Sequence, residues 1–240
     1  MKSLTFSISF FVVFSMFGQD LTGPQLLDKA LAYHDPSGNW KTFNGAFNVT
    51  MESPNKAPRL SEITINLPEE FFQVKATRDT IVTEYSLKQG ACTIKLNGKE
   101  DLSEAILKEN NLSCERANLY KNYYSYLYGL PMKLKDPGTH ISEKVDRKTF
   151  QGKEYFVLKA TYDEAVGSDI WYFYFDTETY AMEVYQFFKG DPLEEGKDTG
   201  EYILLTETLS INNIKMPKKR AWYYNKDDKY LGTDVLMPSK

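Results

Sequence analysis

Histidine is the side chain most often used for proton transfer near neutral pH, and the chain has two, His34 and His140. Asp35 directly follows His34, but adjacent residues at a helix end point in different directions and do not form a catalytic dyad by themselves. A charged histidine at a helix C-terminus complements the helix dipole and can bond the last carbonyl groups. We therefore expect a structural role for His34 rather than one as a base or ligand. His140 opens a strand and has no carboxylate nearby in sequence.

The other groups that could do chemistry lack the spacing of known sites. The sequence has no Gly-x-Ser-x-Gly elbow, no phosphate-binding glycine loop and no His-Glu-x-x-His pair. Carboxylates cluster in "LEEGKD" and "KDDK", which are charged, turn-like and solvated. We predict no catalytic residue, no metal and no cofactor. A hydrolase that uses two distant carboxylates, as glycoside hydrolases do, is the remaining enzyme alternative.

The two cysteines, Cys92 and Cys114, have 21 residues between them. Two cysteines and two distant histidines do not have the spacing of a zinc site. In an oxidising compartment a pair is more often bridged than free, and a loop of this size gives about 3 kcal/mol in the chain-entropy model. We therefore predict a disulfide.

Tyrosine is concentrated in "YKNYYSYLYGLPMKLKDPG", residues 120–138. An i, i+3, i+4, i+7 spacing places several of these side chains on one helical stripe, and Gly129 with Pro131 ends the helix. We interpret the segment as a helical lid over an apolar surface. Its candidate ligand-binding residues are Tyr120, Tyr123, Tyr124, Leu127, Leu130 and Met132.

The stretch "DIWYFYFD" carries aromatic side chains on both faces of a strand. Aromatic residues are favoured in strands for packing alone, so one interpretation is structural. The other is that one sheet face lines an apolar cavity, as in lipid carriers, while the opposite face packs elsewhere. The spacing does not decide which face points inward, and both sets are candidates: Trp171, Phe173 and Phe175, or Tyr172 and Tyr174.

The first residues predict export from the cytoplasm. Lys2 precedes an apolar run from Leu4 to Phe17 that is short for a membrane span, so we predict a signal peptide over residues 1–19 rather than an anchor or a core helix. The predicted cleavage junction lacks the cysteine that marks a bacterial lipoprotein. We therefore predict that the mature protein is periplasmic or secreted. A net charge of about −5 after cleavage argues against nucleic-acid binding. We interpret the basic stretch "KMPKKR" as a solvated edge strand.

Apolar periodicity predicts a single, mainly β domain over residues 20–240. A helix capped by Thr22 or Gly23 is followed by short alternating strands, a helical stretch with starts near Ala105 and at Asn111 or Ser113, and further strands from Thr139. About eleven or twelve antiparallel strands twist too strongly to form one flat sheet. We therefore expect a curved sheet or incomplete barrel, covered by the helices.

This order of elements resembles the LolA/LolB lipoprotein-carrier fold, an incomplete β-barrel whose apolar concave face is closed by helices. "YFYFDTETYAMEVYQFF" and "TGEYILLTETLSINNIKMPKKRAWYY" are similar to that family's C-terminal strands. Arg59 occupies a place similar to that of the carriers' latch arginine, but we interpret it as an ordinary edge-strand charge. "ALAYHDPSGNW" and "YLYGLPMKLKDPGTHI" resemble an uncharacterised family of secreted Bacteroidota proteins.

Residues and resemblance together predict a periplasmic, monomeric, non-enzymatic binding or carrier protein. Its partner is a hydrophobic small molecule or a lipidated protein, with transient contact to a membrane or an envelope protein and none to nucleic acid. The alternative is a ligandless module whose filled barrel binds an envelope protein or glycan.

Overall fold

The computed structural model describes residues 21–239 as an antiparallel sheet with three α-helices. The predicted signal peptide lies outside the described residues. The helices are α1 (Gly23–His34), α2 (Glu104–Glu109) and α3 (Cys114–Gly129). The strands are β1 (Asn44–Ser53), β2 (Lys56–Asn66), β3 (Phe71–Arg78), β4 (Ile81–Lys88), β5 (Ala91–Leu96), β6 (Thr139–Phe150), β7 (Lys153–Tyr162), β8 (Ile170–Asp176), β9 (Met182–Phe188), β10 (Glu201–Ile211), β11 (Ile214–Tyr224) and β12 (Tyr230–Pro238).

All twelve strands belong to one curved, unclosed sheet in the order β5-β4-β3-β2-β1-β12-β11-β10-β9-β8-β7-β6. Each half is a meander, because strands that are adjacent in sequence also pair in space. The two meanders meet where β1 pairs with β12, with Val49 opposite Leu236. The predicted incomplete barrel of about eleven strands is confirmed, with twelve strands and with β5 and β6 at the free edges.

Local sequence signals set the helix ends. Thr22 caps α1 and forms a reciprocal capping box with Gln25, which satisfies two backbone donors that the first turn leaves unpaired. Ser113 caps α3 in the same region of the chain where the sequence predicted a start. Gly129, the last residue of α3, packs so closely on Trp40 that a Cβ atom there would lie 2.3 Å from the indole ring. Close packing therefore explains this glycine.

The interpretation of "KMPKKR" as an edge strand is wrong. The segment lies in β11, a central strand that pairs with β10 on one side and, from Lys219 onward, with β12 on the other. Its lysines Lys218 and Lys219 reach Glu207 on β10, while Arg220 is only 1% exposed. A long basic side chain can run along a paired strand to solvent, so lysines alone do not identify an edge.

The two sheet faces carry separate apolar clusters. The large core fills the concave face, where α1 and α3 pack on the sheet. A smaller cluster lies on the outer face; its buried members are Tyr155, Val157, Tyr174 and Val184. The sheet therefore places its main apolar surface beneath the helices, where a ligand site would be.

Candidate functional site

Helix α3, which we call the cover helix, lies on the concave face of the sheet. Its first residue, Cys114, is bonded to Cys92 on the edge strand β5, with a Cα–Cα distance of 6.0 Å. The predicted disulfide pair is therefore present, and it fixes the start of the cover helix to the free edge of the sheet. Apart from the peptide backbone at its two ends, no other covalent link joins this helix to the rest of the described chain.

The tyrosine stripe of the cover helix faces the sheet. Tyr124 and Leu127 are 1% and 4% exposed, and Tyr120 stacks against Tyr124. Tyr128, which the sequence analysis did not select, is fully buried and stacks on Phe47 of β1. Its position four residues after Tyr124 continues the stripe, so the helical spacing contains the signal that identifies it.

Beyond the helix, Leu130 and Met132 are also buried in the same core. The interior of the curved sheet is consequently filled by side chains of the protein itself. A ligand can occupy this surface only when the cover helix moves away from it.

Arg59 links β2 to the cover helix. Its guanidinium group donates to the hydroxyl groups of Tyr120 at 3.3 Å and Tyr124 at 3.4 Å, and the Tyr124 hydroxyl donates to Ser61 at 2.9 Å. Since β2 pairs with β1 and β3, Arg59 is not an edge-strand charge, and that interpretation is wrong. Arg59 instead holds the middle of the cover helix through polar contacts.

A second buried polar cluster lies under the C-terminal half of the cover helix. Asp234 on β12 is 0% exposed and accepts a hydrogen bond from the Tyr123 hydroxyl at 2.8 Å. Arg220, opposite it on β11, donates to the backbone oxygen of Leu127 at 3.3 Å and lies over the ring of Tyr128. Burial raises the pKa of the Asp234 carboxyl, although the Tyr123 hydroxyl and the Arg220 guanidinium act in the opposite direction.

Strand alternation contains a weak signal for both residues, because Asp234 shares its strand face with Leu236 and Arg220 shares its own with Met216. Their proximity to each other depends on the pairing of β11 with β12, which the sequence analysis did not predict.

The structure decides which face of β8 points inward. Trp171, Phe173 and Phe175 belong to the core on the concave side, and Trp171 contacts Tyr126 of the cover helix. Tyr172 and Tyr174 belong to the outer cluster, and Tyr174 donates to Gln186 at 2.7 Å. The first set can meet a ligand beneath the cover helix, whereas the second set cannot.

Two cavities adjoin the cover helix. One, of about 230 Å³, opens beside Tyr123 and is lined by Met51, Ser53, Glu201, Trp222 and residues 231–234. The other, of about 440 Å³, lies between α1, Trp40 and the turn that contains Met132. The first cavity is the one that reaches the buried polar cluster around Asp234.

His34 has a structural role, but not the expected role of a charged ring at the C-terminus of the helix. Its Nδ1 bonds the backbone oxygen of Lys215 at 2.7 Å, and its Nε2 accepts from the backbone N–H of Met182 at 2.9 Å. Burial lowers its pKa to about 4, so the ring is neutral at pH 7 and joins α1 to β9 and β11. The expectation of a charged ring bonding the last helical carbonyls is wrong.

The remaining candidate groups do not assemble a catalytic or metal centre in the described residues. His140 lies 2.6 Å from Asp163 across the β6–β7 pair, but both side chains are more than half exposed at the sheet edge. Within residues 21–239, no group of three or more histidine, cysteine, aspartate or glutamate residues is placed to hold a metal ion. Over the same range, no helix has the length and apolar character needed to cross a membrane.

Two solved structures are similar to this chain. A LolA superfamily protein from Nitrosomonas europaea superposes with a TM-score of 0.53 at 12% sequence identity, over 91% of this chain and 94% of the other. A DUF1329 family protein from Desulfovibrio piger gives a TM-score of 0.49 at 10% identity, covering 89% and 90% of the two chains. The first likeness shows a common fold and confirms the resemblance to LolA. No curated protein matches the chain.

Sequence comparison identifies the family directly. The family described as "Family of unknown function (DUF6503)" matches residues 4–238, nearly the whole sequence. This match confirms the resemblance to an uncharacterised family. The chain therefore belongs to DUF6503, a family of unknown function.

Proposed function

We propose that this protein is a non-enzymatic carrier that holds a hydrophobic ligand, such as an acyl chain, between its curved sheet and the cover helix. The observation that carries the proposal is how the cover helix is attached. Within the described residues, no backbone-to-backbone hydrogen bond joins it to the sheet. The helix can therefore leave while every strand pairing stays intact.

Displacement of the cover helix exposes an apolar floor. Phe47, Phe72 and Phe173 line the concave core and are at most 1% exposed in the closed form. An exposed apolar surface of this kind is unfavourable in water, at about 25 cal/mol per Å², so the open form requires an apolar occupant. An acyl chain can cover this apolar floor. Trp171 and Phe175 extend the floor along β8 on either side of Phe173.

The polar contacts beneath the cover helix give the opening a moderate barrier. The cover helix accepts hydrogen bonds from Arg59 and Arg220, and it donates one through Tyr123. When the helix moves, these groups can exchange their partners for water or a ligand head group. Apolar packing alone offers no such replacement. The disulfide at Cys114 keeps one end of the helix in place during opening.

The setting of this function is outside the cytoplasm. A disulfide persists in oxidising compartments, and the LolA-like fold is that of envelope carriers in the resemblance given above. We propose a periplasmic or secreted monomer that receives its ligand from a membrane, an envelope protein or a lipidated protein. The signal peptide over residues 1–19 is part of this proposal.

The filled concave face favours a second candidate, a ligandless interaction module. Tyr124, Tyr128 and Leu127 already occupy the surface on which a ligand would lie. In this alternative the cover helix is a permanent part of the core, and the protein binds an envelope protein or glycan through its outside.

Native mass spectrometry of protein purified from its own host without detergent separates the two candidates. For a carrier we expect a bound lipid mass, and the delipidated protein should raise the fluorescence of N-phenyl-1-naphthylamine, an apolar dye, in a way that lipid reverses. The interior is permanently filled if the wild type carries no lipid and binds no dye, and if the Arg59→Met variant, in which the cover helix is loosened, gives the same result.

A further inference from the structure

The larger of the two cavities beside the cover helix lies at the end of that helix that the disulfide does not hold. Its volume of about 440 Å³ is within the range of about 300–1,000 Å³ typical of pockets that enclose a small molecule. Ser125 of the cover helix and Met132, just beyond its end, line the cavity, and α1 contributes Leu31. The bond at Cys114 fixes the opposite end of the helix. The cavity therefore borders the end that can move furthest in the proposed opening.

The apolar wall of this cavity continues into the concave core. Trp40 and Met132 belong to that core, are 5% and 7% exposed, and both line the cavity. Leu31 and Leu67 line it too, and they pack against the core while remaining partly exposed. Trp40 also packs against Gly129, the last residue of the cover helix. An alkyl chain in this cavity would therefore lie against the apolar residues over which the cover helix closes.

Lysine is the most frequent polar residue in the cavity wall. Lys41, Lys133 and Lys135 line the cavity, together with two carboxylates, Asp35 and Asp136. Asp35 is buried, and its two carboxylate oxygens accept from two backbone N–H groups at the start of the next turn, each at 2.8 Å. Asp136 pairs with Lys133. Both carboxylates therefore have partners, and Lys41 and Lys135 set the charge that an entering ligand meets.

These two ammonium groups are available to an incoming anion. Lys41 is exposed and makes no ion pair in the part of the chain that the structure describes. Lys135 pairs with Asp28 at 2.8 Å, but the two side chains are 48% and 65% exposed, and an exposed pair of this kind is weak enough to exchange its partner. The smaller cavity, in contrast, is lined by Glu201 and Asp234 and by no lysine or arginine. Of the two cavities, the larger one is therefore suited to an anion.

From this arrangement we infer that the larger cavity binds an amphiphile with an acidic head group, a carboxylate or a phosphate ester, whose alkyl chain lies along Trp40 and Met132. Ammonium groups only donate hydrogen bonds, so they pair best with acceptor oxygens that carry negative charge. A neutral alcohol gains less from Lys41 and Lys135, and an alkylammonium group is repelled by them. The inference rests on the proposed function, since it names the polar end of the ligand that the carrier holds.

A matched series of twelve-carbon amphiphiles tests the site: laurate, dodecyl phosphate, lauryl alcohol and laurylamine, each displacing N-phenyl-1-naphthylamine from the delipidated protein. We expect the two acids to bind about tenfold more tightly than lauryl alcohol, and laurylamine to bind most weakly. The tighter of the two acids distinguishes a fatty acid from a phosphate ester as the head group. A high concentration of sodium chloride should reduce the preference for acids, because salt screens exposed charges.

Charge-removing variants locate the head group. Lys41 and Lys135 are exposed, so the Lys41→Gln, Lys135→Gln double variant should fold, and it should lose most of the acid preference while its affinity for lauryl alcohol stays unchanged. The corresponding double arginine variant keeps both charges and should keep the preference. Lys75→Gln, Lys88→Gln is the matched control, since it removes two exposed lysines that line neither cavity. It should bind all four compounds as the wild type does.

The outcomes distinguish the acidic head-group site from the carrier function. If lauryl alcohol or laurylamine binds as tightly as the acids, or if the acid preference persists in the Lys41→Gln, Lys135→Gln variant, the site is overturned and the carrier proposal stays in place. If none of the four compounds displaces the dye, the carrier proposal fails and the site fails with it.

Discussion

His34 is a neutral, buried histidine that joins α1 to two strands of the sheet. Its pKa falls from the usual 6.5 to about 4 because burial disfavours the charged ring. The unfolded chain therefore binds more protons than the native protein between these pH values. By proton linkage, the free energy of unfolding rises with pH through this window and is lost as pH falls from about 6.5 toward 4.

This linkage amounts to about 3 kcal/mol across the whole window, as an order of magnitude. We expect urea unfolding of the wild type to show the loss between pH 7 and pH 5, where few carboxylates titrate. His34→Gln should be less stable at pH 7 yet lack this pH dependence. His140→Gln, at the exposed second histidine, is the control and should keep the wild-type slope; an unchanged slope in His34→Gln contradicts the assignment.

Single residues were predictable where the signal is local. The tyrosine stripe follows from helical spacing, and the same spacing reaches Tyr128. Asp234 and Arg220 are different, because a charged residue in an alternating strand reads as solvent-exposed unless its neighbours across the sheet are known. Packing of α3 on the sheet brings Tyr123 to Asp234, 111 residues away in sequence, and no local pattern encodes that contact.

At the scale of elements, the disulfide between β5 and α3 sets the position of the cover helix. Edge strand β5 has one paired neighbour, and Cys114 and Glu115 at the start of α3 are exposed, so both elements gain from the covalent link. We expect the Cys92→Ser, Cys114→Ser double variant to lose about 3 kcal/mol of unfolding free energy, mainly because the unfolded chain regains the entropy of the open loop.

Urea unfolding with and without a reducing agent measures this contribution. The wild type should lose stability on reduction, whereas the double variant, the matched control, should not respond to the reductant. Equal stability of wild type and double variant would show that packing alone fixes the start of the cover helix.

The strands themselves were predictable because period-two alternation is a local property. The structure has short strands before and after the predicted helical stretch, and the helix stops at Gly129 as expected. Two features at this scale lay beyond the sequence. The inward face of β8 depends on what packs against each side, and the central position of β11 depends on β12 pairing on its far side.

For the whole molecule, the curved sheet and its helical cover were predictable from strand count and twist, but the filling of the concave face was not. Whether tyrosine side chains close over a ligand or occupy the space themselves depends on the free-energy difference between two packed states. The structure shows the closed state. The proposed function requires that the cover helix open more readily than the sheet unfolds.

Hydrogen exchange measures that difference directly. We expect amides of α3 to exchange through a partial opening, while amides of the central strands β1 and β12 exchange only on global unfolding. Arg59→Met keeps the side-chain stem but leaves the Tyr120 and Tyr124 hydroxyls without their donor. Loss of a buried hydrogen bond costs about 1–3 kcal/mol, so α3 exchange should rise about tenfold to a hundredfold.

Lys75→Met is the control for this experiment. Lys75 on β3 forms an ion pair with Glu62 on β2, the strand that carries Arg59, but the pair is exposed to solvent. It should leave exchange in α3 unchanged. If Arg59→Met instead accelerates exchange in α3 and in the central strands by the same factor, the helix and sheet open as one unit. A single cooperative unit of that kind cannot release its cover while holding a ligand, so this result would exclude the carrier mechanism at its first step.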